Sequence, residues 1–280
     1  MKRQKTKTES FTEWRKICNE YDILTEHYES HDEEGRLLSK HGSVEYITTQ
    51  KYIHDYAKAI NAKSILEVGA GTGRYSVSLA KDGFDVTAVE LVEHNLDILR
   101  QKFDGSEMLT AIQGNALELS RFADNSFDMT LLLGPMYHLF TLDDKKKALS
   151  EAVRVTKQGG YIFVSYCMNE PTVIRYGFQQ DNIPMLLENK MLTAEWHCVS
   201  EPKEIFELYR TEDIASLNET INVTREKLVA TDGATNYMTE CIDEMDDFTF
   251  EKWVDYHLSI CERQDLIGAS HHTLDILRKN

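Results

Sequence analysis

"ILEVGAGTGRYSVSLA", residues 65–80, decides how the chain is read. Ile65 to Val68 form a short apolar run of the kind that becomes a buried strand. Gly69, Gly71 and Gly73 make the next segment a glycine-rich turn, and "GRYSVSLAKDG" reads as a helix ending at Gly83. A strand, a glycine turn and a helix in that order open a nucleotide-binding unit, because a loop without side chains lets backbone approach a ligand. The spacing excludes two alternatives. A dinucleotide fingerprint needs a third glycine where Arg74 stands. A phosphate loop needs Gly-Lys-Ser/Thr, which does not follow. The G-x-G-x-G spacing brings backbone against a ligand without a pyrophosphate.

Downstream, strand-like and helix-like segments alternate from 64 to 165. "DVTAVE", "MLTAIQG", "FDMTLLL" and "GYIFVSY" read as strands; "EHNLDILRQKF" and "DDKKKALSEAVRVTKQGG" read as helices, the second with acids at its start and glycines at its end. Such alternation predicts right-handed crossovers and a doubly wound, mainly parallel Rossmann-like sheet. Upstream, residues 11–60 read as helical, with Val44, Ile47, Tyr52, Ile53, Tyr56 and Ile60 at helical spacing. Residues 166–263 break the rhythm and read as a late helix and strand with a cap-like insertion. "HHTLDILRK" reads as a C-terminal antiparallel edge strand. The expected organisation is one domain over 1–280: an N-terminal helical lid (11–62), a core (63–166), late core elements with the cap (167–263) and the C-terminal strand (264–280).

Two acids stand where strands end. Glu67 precedes the glycine turn, and a carboxylate there suits a cationic ligand, pairing with an ammonium or orienting water to it. Glu90 ends the second strand, where a carboxylate can accept both hydroxyls of a ribose.

The composition narrows the partners. A net charge of −16 over 280 residues repels phosphate backbones, and beyond residues 2–7 there is no Lys/Arg stripe, so nucleic acid is not an expected partner. No apolar run approaches the roughly 20 residues of a membrane span. "MKRQKTKTES" is basic but lacks the apolar core of a secretory signal. The five cysteines, Cys18, Cys167, Cys198, Cys241 and Cys261, contain no C-x-x-C pair and read as free thiols of a reducing, cytoplasmic setting.

With these residues in view, the chain resembles the class I S-adenosylmethionine-dependent methyltransferases. "LEVGAGTGRYS" is similar to their first motif, "VTAVELVEHNLDIL" to the second, "IQGNALEL" to the third and "FDMTLLLGPMYHL" to the fourth, over about residues 64–166. The last resembles the small-molecule branch with Gly-Pro-(Leu/Met)-Tyr-His-Leu after the fourth strand. The resemblance implies S-adenosylmethionine as cofactor. Gly69, Ala70, Gly71 and Gly73 would meet its methionine part, Glu67 its amino group and Glu90 its ribose. Leu91 would pack on the adenine. Asn115, where the family more often has Asp, would meet the adenine amino group, with Ala116 beside it, and Leu133 and Gly134 would line the channel to the sulfonium.

Other residues carry two readings each. His138 is a general base titrating near neutrality, or a hydrogen-bonded packing histidine. Tyr137 shapes the pocket or packs in the core. Asn115 can also be a simple turn former. In "YESHDEEGRL", Tyr28, His31, Glu33 and Arg36 form a lid, with Arg36 on a substrate carboxylate, or a solvated loop. His271 and His272 are expected on opposite faces of a strand, unable to face one metal, and no metal is expected. The aromatics of 166–263, among them Tyr176, Phe178, Trp196 and Trp253, read chiefly as packing. Two functions stay open: methyl transfer to a small, cationic or amphipathic metabolite held between the fourth strand and the insertion, or a non-catalytic binder of S-adenosylmethionine or S-adenosylhomocysteine. An RNA- or protein-directed methyltransferase is disfavoured by the charge.

Overall fold

Seven strands form one sheet at the centre of the computed structural model, which describes residues 22–28 and 38–280. They are β1 (Ser64–Val68), β2 (Asp85–Glu90), β3 (Leu109–Gln113), β4 (Phe127–Leu132), β5 (Thr156–Cys167), β6 (Val223–Ala230) and β7 (His272–Lys279), in the spatial order β3-β2-β1-β4-β5-β7-β6. β1 to β5 run parallel, and β7 runs antiparallel to both β5 and β6. The main helices are α1 (22–28), α2 (Lys40–Ile60), α3 (Arg74–Lys81), α4 (Glu93–Arg100), α5 (Leu142–Val155), α6 (Thr211–Asn218) and α7 (Asp247–Ile260).

The parallel strands are nearly continuous apolar runs because helices cover both faces. Leu66, Val68, Val86, Ala88, Met129 and Leu131 are among the buried residues. The strand order reverses between β1 and β4, and their carboxyl ends therefore leave a crevice at the switch point.

Three expectations change. First, the C-terminal segment is antiparallel, as expected, but it is not the edge. Thr273 to Leu277 are all buried, a run that belongs between two strands. The edge falls to β6, whose first half alternates half-buried and exposed positions and carries Arg225 and Lys227; charges on an edge discourage further pairing. Second, the glycines after α5 do not cap it. The helix stops at Val155 because Thr156 is already extended, its hydroxyl donating to the Ala152 carbonyl at 2.7 Å. Gly159, at φ 73°, and Gly160 lie inside β5, where the β4 register shifts. Third, α2 belongs to the core rather than to a lid. Val44, Tyr52, Ile53 and Ala57 are buried, and the Tyr56 ring meets that of Tyr161 edge-on at 4.7 Å.

Candidate functional site

The glycine turn leaves β1 with Gly69, Gly71 and Gly73 all at positive φ (75°, 54° and 84°), conformations that favour glycine. Each has its own neighbour. A Cβ on Gly69 would come within 2.6 Å of Pro135 Cδ, so the loop and the segment after β4 can touch only through a glycine. A Cβ on Gly71 would meet nothing within 4 Å, so here backbone faces open space. A Cβ on Gly73 would run into the Leu99 side chain of α4. Gly73 thus serves close packing of α4 and does not line the cavity, contrary to the expectation that all three glycines face a ligand.

That cavity has a volume of about 660 Å³ and lies outside the carboxyl ends of β1, β2 and β4. Glu67, Gly69, Ala70 and Gly71 form one wall. Glu90, Leu91, Asn115 and Ala116 form a second, and Leu133, Tyr137 and His138 a third. Tyr28 closes it from α1, together with Asp22 and Leu24. Arg36, His31 and Glu33 lie outside the described residues.

Both acids are buried. The Glu90 carboxylate accepts the Gly71 N–H at 2.7 Å through Oε2 and the Val92 N–H at 2.9 Å through Oε1, so it ties the loop to β2. Burial raises its pKa, and these two backbone donors pull it back down. Glu67 accepts the Ser76 hydroxyl. Burial, opposed by that bond and helped by the charge of Glu90, pushes Glu67 up to about 8. Asn115 Oδ1 accepts the Leu117 N–H at 2.9 Å, so it is a turn former and a wall residue at once.

The segment Pro135–His138 forms one 3-10 turn after β4. The Tyr137 hydroxyl donates to the Leu133 carbonyl at 2.9 Å. His138 Nδ1 donates to the Ile205 carbonyl at 2.9 Å, which leaves Nε2 to accept the Tyr28 hydroxyl at 2.7 Å. Rings of Tyr28, Tyr137 and Phe206 surround His138. The resulting desolvation lowers its pKa to about 4, below the ordinary imidazole range. Beyond Tyr28 and Tyr137 a second cavity of about 520 Å³ opens, walled by the 173–208 insertion and by Cys167, His271 and His272.

Residues 66–164 match the family described as a methyltransferase domain. This stretch is a methyltransferase domain. A demethylmenaquinone methyltransferase of Renibacterium salmoninarum is 34% identical over 116 residues, 41% of this chain and 46% of its own length. A glycine/sarcosine N-methyltransferase of Aphanothece halophytica is 28% identical over 127 residues, covering 44% and 46%. The chain thus spans less than half the length of these curated relatives. Among solved structures, a methyltransferase of Thermotoga maritima described as a possible histamine N-methyltransferase superposes with a TM-score of 0.56 at 18% identity, covering 93% of this chain and all of that one. One from Methanosarcina mazei gives 0.54 at 16% identity, covering 81% and 96%. At such identity the likeness is one of fold.

The methyltransferase core holds residues that the sequence did not single out. Arg74, noted only as the residue that excludes a dinucleotide loop, lines the cavity with its guanidinium 4.4 Å from the Tyr46 ring centre. Its Nε is buried with no hydrogen-bond partner among the described residues. Asn95 on α4 bonds Glu90. A cation next to a glycine turn was the available signal for Arg74; nothing marked Asn95. The histidine pair also differs from expectation. β7 begins at His272, and His271 sits in the bend before it. Strand alternation therefore does not apply, and the two rings lie side by side, 4.3 Å between centres.

Among the described residues no helix is long and apolar enough to cross a membrane. Cys167, Cys198, Cys241 and Cys261 are unpaired thiols.

Proposed function

We propose that the chain transfers a methyl group from S-adenosylmethionine to a small-molecule acceptor held in the second cavity. One observation carries this reading: two cavities meet at the same pair of rings, Tyr28 and Tyr137. Two reactants must be brought end to end for an in-line displacement, and fixing them in separate pockets removes most of the entropic cost of alignment.

The residues fit the cofactor on three counts. Gly71 leaves open space at the loop. The buried Glu67 carboxyl suits an ammonium. The buried, unpartnered Nε of Arg74 suits a carboxylate. When bound, S-adenosylmethionine supplies an electrophilic methyl on a good leaving group. The chain's own residues bind, orient and exclude water. Glu90 has lone pairs left for ribose hydroxyls after holding Gly71 and Val92. Leu91 offers an apolar face to adenine, Asn115 and Ala116 its polar edge, and Leu133 lines the way to the second cavity. His138 acts as a positioning residue: neutral at pH 7, it fixes the Tyr28 hydroxyl at the junction. Tyr28 and Tyr137 wall off water.

An acidic chain suits a small acceptor better than a nucleic acid. The acceptors in the relatives' names, demethylmenaquinone and glycine or sarcosine, are small molecules as well. The test is calorimetry with S-adenosylmethionine, S-adenosylhomocysteine and NAD, then S-adenosylhomocysteine formation over a panel of small amines, quinols and hydroxy acids, with tRNA and a protein extract alongside. Tighter binding of NAD would sink the cofactor assignment. Turnover on tRNA or protein alone would sink the acceptor class.

A further inference from the structure

Asp232, His271 and His272 gather beside the second cavity without any part in the proposed transfer. Asp232 Oδ1 accepts the backbone N–H groups of His271 and His272 at 2.9 and 3.2 Å, and the Ser270 hydroxyl at 2.6 Å. Three donors fix the carboxylate and leave Oδ2 facing the rings. Oδ2 lies 3.2 Å from His272 Nδ1 and 3.9 Å from His271 Nδ1. The two Nδ1 atoms lie 3.2 Å apart, and Glu45 Oε2 approaches His272 Nδ1 at 3.3 Å. Two imidazole nitrogens turned toward each other beside a carboxylate are bridged either by a ring proton, one Nδ1–H donating to the other nitrogen, or by a metal ion.

We propose that Asp232, His271 and His272 form a divalent transition-metal site that opens onto the second cavity. Tetrahedral zinc with nitrogen and oxygen ligands at about 2.0–2.1 Å separates its donors by roughly 3.3 Å. The three separations among Asp232 Oδ2, His271 Nδ1 and His272 Nδ1, 3.2, 3.2 and 3.9 Å, fall around that figure, and these donor atoms all lie within 4.8 Å of one another. Imidazole and carboxylate donors without thiolate suit zinc-like ions rather than calcium or copper(I). His272 also bonds the Cys167 side chain, which orients the ring from outside the donor set. The charge of Arg175 acts on His271 in the opposite sense to those of Asp232 and Glu45. A separate sign of an unfilled polar centre is the Tyr237 hydroxyl, buried with no hydrogen-bond partner among the described residues and under the influence of Asp232. His271 and His272 line the second cavity, so a ligand there would reach the metal directly. The ligand class that follows is an acceptor with an anionic or chelating oxygen.

The test does not depend on methyl transfer. The full chain is stripped with a chelator and titrated with Zn2+ by calorimetry, and with Co2+ by visible absorption. The expected result is one saturable Zn2+ per chain and a Co2+ spectrum of tetrahedral type. His271→Ala and His272→Ala should each weaken Zn2+ at least tenfold, since even residues orienting ligands are worth about 10–100-fold. His54→Ala, at a half-exposed histidine paired with Asp82 outside this cluster, should leave it unchanged. Folding of each variant is checked by circular dichroism, and His271→Gln stands in where the alanine variant fails to fold. Absence of saturable Zn2+ binding, or binding equally tight in the His271 variants, would overturn the proposal and identify the cluster as a proton-bridged histidine pair. S-adenosylmethionine affinity, measured in the same samples, reports separately on the transferase reading.

Discussion

Glu90 and Gly71 are joined end to end: the carboxylate at the tip of β2 accepts the N–H of the open glycine at 2.7 Å. A single side chain therefore shapes the loop and lines the cavity. Glu90→Ala should weaken S-adenosylmethionine by about 1–3 kcal/mol, the loss typical of hydrogen bonds to a charged group. Glu90→Gln should lose less, since its amide oxygen can still accept one of the two N–H groups. Calorimetry decides, and unchanged affinity in the alanine variant would remove Glu90 from the site.

Gly69 and Pro135 form a second such contact. Gly69→Ala adds a Cβ at φ 75°, 2.6 Å from Pro135 Cδ. We expect a loss of about 1–3 kcal/mol in denaturant unfolding. The double variant with Pro135→Ala should relieve the clash but not the dihedral strain. Full additivity of the two changes would show that the contact carries no energy.

The Glu67 carboxyl makes stability depend on pH. Its folded pKa of about 8 exceeds its ordinary 4.5 because it is buried. The folded chain thus holds a proton that the unfolded chain releases between those values. The contribution is full below about 4.5 and falls as pH rises to about 8. Glu67→Gln should flatten that decline, so the variant gains on the parent chain between about pH 5 and 8. An ammonium ligand beside Glu67 would drive its proton off, and calorimetry in buffers of different ionisation enthalpy should register the release at pH 7 and its loss in Glu67→Gln.

His138 is expected to stay neutral across the physiological range, because desolvation holds its pKa near about 4. Its ring proton signals in NMR should not titrate between about pH 6 and 8. His138→Gln should cost less than the 10²–10⁴ in rate that removal of a general base costs, roughly, and Tyr28→Phe should cost about as much as His138→Gln. An inflection near neutrality that vanishes in His138→Gln would restore the base.

Asp275 is fully buried between β5 and β6, held by Arg225 at 2.7 and 2.9 Å and by Asn218 at 2.7 Å. Asp275→Ala should destabilise by about 3 kcal/mol, the lower end of the usual cost because Arg225 is partly solvated. Urea unfolding tests this, and a change below about 0.5 kcal/mol would show that the pair is not what holds β6 on β7.

Local chemistry carried much of this molecule into its sequence. The apolar run to Val68, the glycines after it and the acids Glu67 and Glu90 announced a strand-loop-helix with acids at its strand ends, because strand period, positive φ and strand-end acids depend on near neighbours. The alternation from 64 to 165 announced the parallel sheet for the same reason. What lay beyond local chemistry needed the tertiary structure. β7 took the interior and β6 the edge because burial on both sides of a strand depends on which elements arrive beside it. Gly73 faced Leu99 rather than the cavity because α4 packs there. His138 lost its neutral-range pKa to rings from Tyr28 and Phe206, distant in sequence. His271 and His272 came side by side because the bend before β7, fastened to Asp232, cancels the alternation that a strand would have imposed.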